Sequence, residues 1–241
     1  MELQPVERRS LSDAVFDQLS GEILAGSLAP GDALPSERRL CELLQVNRGA
    51  VREGLKRLRQ AGLVQIQQGG STRVLDYRDT GSFDLLAQLL FDAEGNPNLG
   101  VARSIVEMRG AIAPDMARLF AERATPDEVT TLEELVERLA ASEELEERQL
   151  IALDLWGALA KGSRNIAYQL AFNTLRKTYE GIRGLLLHLL EEELNDVAGY
   201  RALARAAAAG EGKRAAQRAK ALLAKGGAPL LELFARLEED E

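Results

Sequence analysis

Ser36-Glu-Arg-Arg-Leu-Cys-Glu-Leu-Leu-Gln-Val-Asn-Arg-Gly-Ala-Val-Arg-Glu-Gly-Leu-Lys-Arg-Leu-Arg-Gln-Ala-Gly62 is the stretch on which the reading of this chain turns. It predicts two helices joined by a short turn. Ser36 is placed to cap the first, whose apolar positions Leu40, Leu43 and Leu44 share one face. Gln45-Val46-Asn47 makes the turn, and Asn47 is placed to accept from the first free N–H groups of the second helix. In that helix Val51, Leu55 and Leu58 form an apolar stripe, while Arg48, Arg52, Lys56 and Arg59 share the other side. One apolar stripe and one cationic stripe, entered from a tight turn, suit a helix that lies in a DNA major groove. A solvated amphipathic helix with chance-aligned arginines is the plainer alternative.

The flanks weigh against that alternative. Leu63-Val-Gln-Ile-Gln67 alternates with period two, Gln68-Gly69-Gly70 is turn material, and Thr72-Arg-Val-Leu75 makes a second short strand. Upstream, Ser10-Leu-Ser-Asp13 resembles a capping box that opens a helix running to about Gly26, with Leu11, Ala14, Val15, Leu19 and Ile23 as its apolar face. Ala29-Pro30-Gly31-Asp32 is a turn, and Leu34-Pro35 is expected to pair as a short strand against the hairpin. Helix, helix, turn, basic helix and hairpin follow one another as in a winged helix.

Pro35-Ser36-Glu37-Arg38, the Val46-Asn47-Arg48 turn, Val51-Arg52-Glu53, Leu55, Leu58 and Gly62-Leu63-Val64 resemble the winged helix-turn-helix of GntR-family transcription regulators. The resemblance covers about the first third of the chain. It implies that double-stranded DNA is held by Arg38, Asn47, Arg48, Gly49 and Arg52, with Gln68 and Gly69 at the wing tip.

The overall charge of −8 looks unsuited to a DNA-binding protein until it is divided along the chain. Residues 36–73 carry 8 basic and 3 acidic side chains, whereas residues 77–241 carry 20 basic and 28 acidic ones. The positive charge is thus local to the proposed DNA face, and the acidic remainder favours one docking orientation. No apolar run is long enough to span a bilayer, and Met1 to Ser10 lacks a signal-peptide core. A single cysteine, Cys41, excludes an internal disulfide and fits a reducing cytoplasm. Few aromatics with abundant Ala and Leu favour helices packed on helices.

The expected fold is therefore mainly α, with a winged helix-turn-helix domain over residues 1–76, a connector with a short helix over 77–98, and an all-α helical bundle over 99–241. Helices are expected near 99–123, 126–145, 147–161, 165–190, 192–209 and 211–238. Thr125-Pro126 is a clear helix start, Pro114 should kink or break its helix near Ile112, and Lys225-Gly226-Gly227-Ala228-Pro229 should interrupt the last one. Such a bundle after a GntR-type winged domain is similar to the effector-binding domain of the FadR subfamily, with Glu107-Met-Arg109, the Leu159-Ala160 segment leading to Asn165 and the Ala-rich helix after Tyr200 as the matching places.

Many members of that subfamily hold a divalent metal on one aspartate and three histidines. Aligned on Asn165 and Gly210, those positions carry Ala152, Trp156, Tyr200 and Leu222, none a usual transition-metal ligand. No metal and no cofactor are expected. The only histidine, His188, lies elsewhere and is expected to be structural or solvated. No Ser/His/Asp set or phosphate loop stands out, and Glu191-Glu192-Glu193 is taken as a solvated charge run, so the chain is not expected to be an enzyme. The resemblance makes Arg109 a pocket arginine; a surface ion pair with Glu107 or Asp115 is the alternative. Trp156, Tyr179 and Tyr200 are the further effector-binding candidates, Trp156 filling the volume of the absent metal site and the tyrosines on helices expected to line the bundle; plain core residues are the alternative for the tyrosines.

Taken together, these residues predict a cytoplasmic, homodimeric transcription regulator on a palindromic operator. A small-molecule effector, an acyl-coenzyme A or another apolar anion with Arg109 near its polar end, would control it. An architectural DNA-binding protein without an effector, and a small-molecule enzyme with an incidental basic domain, are the alternatives.

Overall fold

The computed structural model describes residues 10–67, 71–91 and 95–239. The chain divides into two compact units, Met1–Pro97 and Asn98–Glu241.

The first unit opens with α1 (Leu11–Leu24), begun by Ser10, whose hydroxyl accepts from the Asp13 N–H while the Asp13 carboxylate accepts from the Ser10 N–H. Helices α2 (Glu37–Leu44) and α3 (Arg48–Gln60) follow, capped by Ser36 and Asn47. Strands β1 (Val64–Gln65) and β2 (Arg73–Val74) pair antiparallel with Val64 opposite Val74. The upstream partner is a single bridge, Ala33 to Arg73, reinforced where the Leu34 N–H donates to the Thr72 carbonyl at 2.8 Å. Short helices α4 (Tyr77–Thr80) and α5 (Leu86–Leu89) complete the unit, with a 3-10 turn at Phe83–Leu85 between them.

Val15, Phe16, Leu19 and Ile23 of α1 meet Leu40, Val51, Leu55, Leu58, Leu63, Val64 and Val74 in one core. Leu85 joins that core, and Tyr77 and Leu89 pack against it. The helix faces differ from expectation in three places. Leu11 and Leu43 are 53% and 52% exposed, and Ala14 is exposed too, because the packed stripes centre on Val15–Leu19 and on Leu40. Gly54 sets how closely α1 and α3 approach: a Cβ there would sit 2.6 Å from Val15 Cγ1.

The second unit contains α6 (Leu99–Arg123), α7 (Pro126–Ala141), α8 (Leu145–Gly162), α9 (Ile166–Leu186), α10 (Glu191–Asn195), α11 (Val197–Ala208) and α12 (Gly212–Glu239). Helix α7 opens with a full capping box on Thr125 and Glu128. Helix α6 packs along α12 and against α8, and α11 lies against α7 and α12.

Neither proline breaks its helix. Helix α6 continues through Pro114 and α12 through Pro229. A helix-interior proline costs about 3 kcal/mol. Burial on both sides outweighs that, with Ala113, Met116, Ala117 and Phe120 around the first and Leu222, Leu223, Leu230 and Phe234 around the second.

The helix expected over 192–209 is instead two. The backbone leaves helical geometry at Asp196, with φ −80° and ψ 60°, and the Asp196 carboxylate accepts from the Gly199 N–H at 2.9 Å. That break turns one face of α10 inward, burying Glu193 and Leu194 while Glu191 and Glu192 stay exposed. Glu193 is therefore not part of a solvated charge run.

Candidate nucleic-acid interface and buried polar cluster

The cationic face of the winged unit is built by two caps. Gln45 adopts the left-handed conformation at the end of α2, φ 53°, which reverses the chain into α3. Asn47 then accepts from the Ala50 N–H at 2.9 Å through Oδ1. Gly49 keeps this cap open, since a Cβ would lie 3.2 Å from that oxygen. The result leaves Asn47, Arg48, Gly49 and Arg52 exposed at the start of α3, with Lys56 and Arg59 exposed further along it.

Arg52 and Lys56 are pre-paired, as is Arg38 of α2, and Lys56 Nζ lies 3.6 Å from Glu53 Oε2. Arg52 Nε donates to Glu37 Oε2 at 2.9 Å, and Arg38 Nε donates to Glu42 Oε1 at 3.2 Å. Exposed pairs of this kind are worth about 0–1 kcal/mol, so either guanidinium is free to exchange its carboxylate for a phosphate or a base edge. Arg57 differs: it pairs with Asp13 and stacks 4.5 Å over the Phe16 ring. It therefore ties α3 to α1, and the charge available on the outer face is one less than the count along the chain implies. The wing-tip positions Gln68 and Gly69 lie outside the described residues.

The helical unit holds a second cluster. Arg109 on α6 is 27% exposed and donates to the carboxylate of Glu193 on α10, which is 2% exposed. Neither surface alternative for Arg109 holds: Asp115 pairs with Arg118 at 2.7 Å, and the Arg109 partner is Glu193. Burial works against the Arg109 charge, but Glu193 more than offsets it and holds the guanidinium pKa above its ordinary value. Burial raises the Glu193 carboxyl, and Arg109 pulls it back only in part.

Tyr200 on α11, 0% exposed, lies within electrostatic reach of Glu193, Arg109 and Tyr179 and beside Trp156 of α8. Burial drives its phenol well above the usual range, and burial pushes Tyr179 to about 12. Arg109, Tyr179 and Tyr200 thus lie within electrostatic reach of Glu193, and Trp156 lies beside Tyr200. Trp156 Nε1, Tyr200 Oη and Glu193 Oε2 are buried with no hydrogen-bond partner among the described residues.

A metal does not fit this donor set. Ala152, Trp156, Tyr200 and Leu222 are all buried in the common core, and none offers an ordinary ligand atom. Among the described residues no three His, Cys, Asp or Glu side chains come together, and His188 is exposed. No helix described is long and apolar enough to cross a membrane.

Comparison with known proteins covers both units. Residues 11–74 match the family described as bacterial regulatory proteins, gntR family, and residues 104–225 match the FCD domain. The chain is 41% identical over 220 residues to the HTH-type transcriptional regulator Mce2R of Mycobacterium tuberculosis, covering 90% of this chain and 91% of that protein. It is 33% identical over 153 residues to the Glc operon transcriptional activator of Escherichia coli, covering 60% and 56% of the two chains. Among solved structures, that of Lar, which controls the expression of the Listeria monocytogenes agr system, superimposes with a TM-score of 0.54 at 16% identity over 95% of this chain and 100% of the other. This last likeness speaks for the fold alone.

Proposed function

The chain belongs to the gntR family of bacterial regulatory proteins, with an FCD domain following its winged unit in sequence, and from that premise we propose that a small, largely apolar molecule held in the helical unit sets its affinity for DNA. It is a DNA-binding transcription regulator; the effector, its site and the form of the operator are the proposal. The observation that carries the effector site is the presence in one helical core of three buried polar atoms without hydrogen-bond partners, on Trp156, Tyr200 and Glu193. Such groups are costly unless something completes them, and they sit within an apolar core of Ala152, Leu155, Leu190, Leu194 and Leu222.

At the DNA, Arg52 reads a base edge and Arg38 grips phosphate. Asn47, Arg48 and Gly49 present the start of α3, with Gln68 and Gly69 at the wing. The protein acts as a FadR-type homodimer in the cytoplasm, placing two recognition helices on a palindromic operator. It performs no catalysis and needs no metal.

The pairing of Arg109 with Glu193 weighs against the acyl-coenzyme A or other anionic effector expected from the sequence, because that arginine already has its counter-charge. Mass spectrometry of small molecules released from the native protein tests the site. An apolar molecule lost from a Tyr200→Phe, Trp156→Phe double variant supports it; a molecule retained equally by both proteins refutes it.

A further inference from the structure

The cationic face carries one ion pair that crosses from α2 to α3. Arg52 Nε donates to Glu37 Oε2 at 2.9 Å, and no hydrogen bond among the described residues uses the two terminal nitrogens of that guanidinium. The other pairs on this face stay within one helix: Arg38 and Arg39 share Glu42 on α2, and Lys56 lies beside Glu53 on α3. Glu37 is also a well-placed anchor. It is the first residue of α2, directly after the capping Ser36, where a helix N-terminus favours a carboxylate.

What this leaves for DNA is unequal. A guanidinium held through Nε keeps its Nη1 and Nη2 fork, the part that fits guanine O6 and N7 bidentately. A base edge is therefore read without breaking the pair. A phosphate approaching Arg52 meets the Glu37 charge beside it and gains less, because two anions must share one cation.

We propose that Glu37 is a positioning residue for sequence reading: it aims the Arg52 fork at a guanine edge and keeps phosphate from taking the same arginine. Glu37 thereby sharpens discrimination between sequences while lowering affinity for DNA at large. This rests on the reading of Arg52 as the base-contacting residue.

The full-length chain is compared with Glu37→Gln and Glu37→Ala, each alone and combined with Arg52→Ala. Binding is measured over a range of salt, on a duplex selected by the unaltered protein from random DNA and on a scrambled duplex of the same length. Glu37→Gln removes the charge and keeps an oxygen that can accept from Nε. It should bind the scrambled duplex up to about fivefold more tightly, the worth of one exposed ion pair released to phosphate. Its slope of log affinity against log salt should steepen by about 0.9, the mark of one added phosphate contact. Glu37→Ala should do the same and also bind the selected duplex about tenfold more weakly, losing a guanine preference at one position when it selects its own sites. Combined with Arg52→Ala, either Glu37 change should leave the ratio of the two affinities as it is in Arg52→Ala alone.

A merely structural role for Glu37 would lower both affinities together and leave the salt slope where it was. Equal losses on both duplexes, an unaltered slope in Glu37→Gln, or the same shift in the ratio with Arg52→Ala present overturns the proposal. If Arg52→Ala itself leaves the preference between the duplexes intact, the reading of Arg52 falls and the proposal with it. If Arg52→Ala abolishes that preference and the Glu37 variants change nothing, the reading of Arg52 stands and only the role of Glu37 is refuted.

Discussion

Glu193 of α10 reaches into the helical unit and pairs with Arg109 of α6, residues 84 positions apart in sequence. A buried pair of this kind adds little net stability, since removing two charges from water offsets most of their attraction. Breaking one partner is another matter. Arg109→Met should lose about 3–5 kcal/mol in denaturant unfolding, because Glu193 is left buried and uncompensated. The Arg109→Met, Glu193→Gln double variant should recover much of that loss. Equal destabilisation of the single and double variants would show that the two charges are not coupled.

The same pair makes a pH prediction. The folded Glu193 carboxyl has a raised pKa, so it binds its proton more tightly than the unfolded chain does. Stability from this group is therefore greatest at low pH and falls as pH rises from the ordinary carboxylate range through the folded value. Removing Arg109 takes away the attraction that holds that value down, which extends the falling window upward. The stability gap between the unaltered protein and Arg109→Met should widen as pH rises above the ordinary carboxylate range. A gap that is constant or narrows contradicts an ionised, buried Glu193.

The winged unit was legible because its signals are local. Ser36 and Asn47 cap the helices expected of them, and Val51, Leu55 and Leu58 bury as one stripe. The helical unit was legible in helix order, but not where tertiary packing overrides local rules. Pro114 and Pro229 sit inside intact helices because the core holds both flanks. Glu193 escaped notice because three consecutive glutamates carry no sign of which one turns inward; only the backbone break at Asp196 decides that. Arg109, Trp156, Tyr179 and Tyr200 lie on four different helices, and no spacing in the sequence relates them.

The close approach of α1 and α3 gives a packing test. Gly54→Ala places a methyl against Val15, and it should destabilise the winged unit by about 1–3 kcal/mol despite alanine being the better helix former. Thermal unfolding measures this. A stability gain would mean that the two helices separate at little cost.

At the DNA, Arg52→Ala should lose about 1–3 kcal/mol of specific affinity and relax sequence preference, whereas Arg38→Ala should weaken specific and non-specific DNA more evenly. Gel-shift titrations at matched salt distinguish the two. Unchanged binding by both variants would displace the recognition face from the start of α3.

Exhaustive dialysis against a chelator should leave both melting temperature and DNA affinity unchanged, because Ala152, Trp156, Tyr200 and Leu222 cannot hold a transition metal. One tightly bound zinc or nickel per untagged chain would contradict this.

The central claim is that occupancy of the polar cluster controls DNA binding. It is tested most directly by fluorescence anisotropy on a site selected by the protein from random DNA, at fixed salt, with and without the co-purifying molecule. The account predicts a change in affinity of about 5–150-fold in the unaltered protein, the usual range of allosteric coupling, and less than about twofold in Tyr200→Phe. An equal change in both proteins, or none in either, would contradict it.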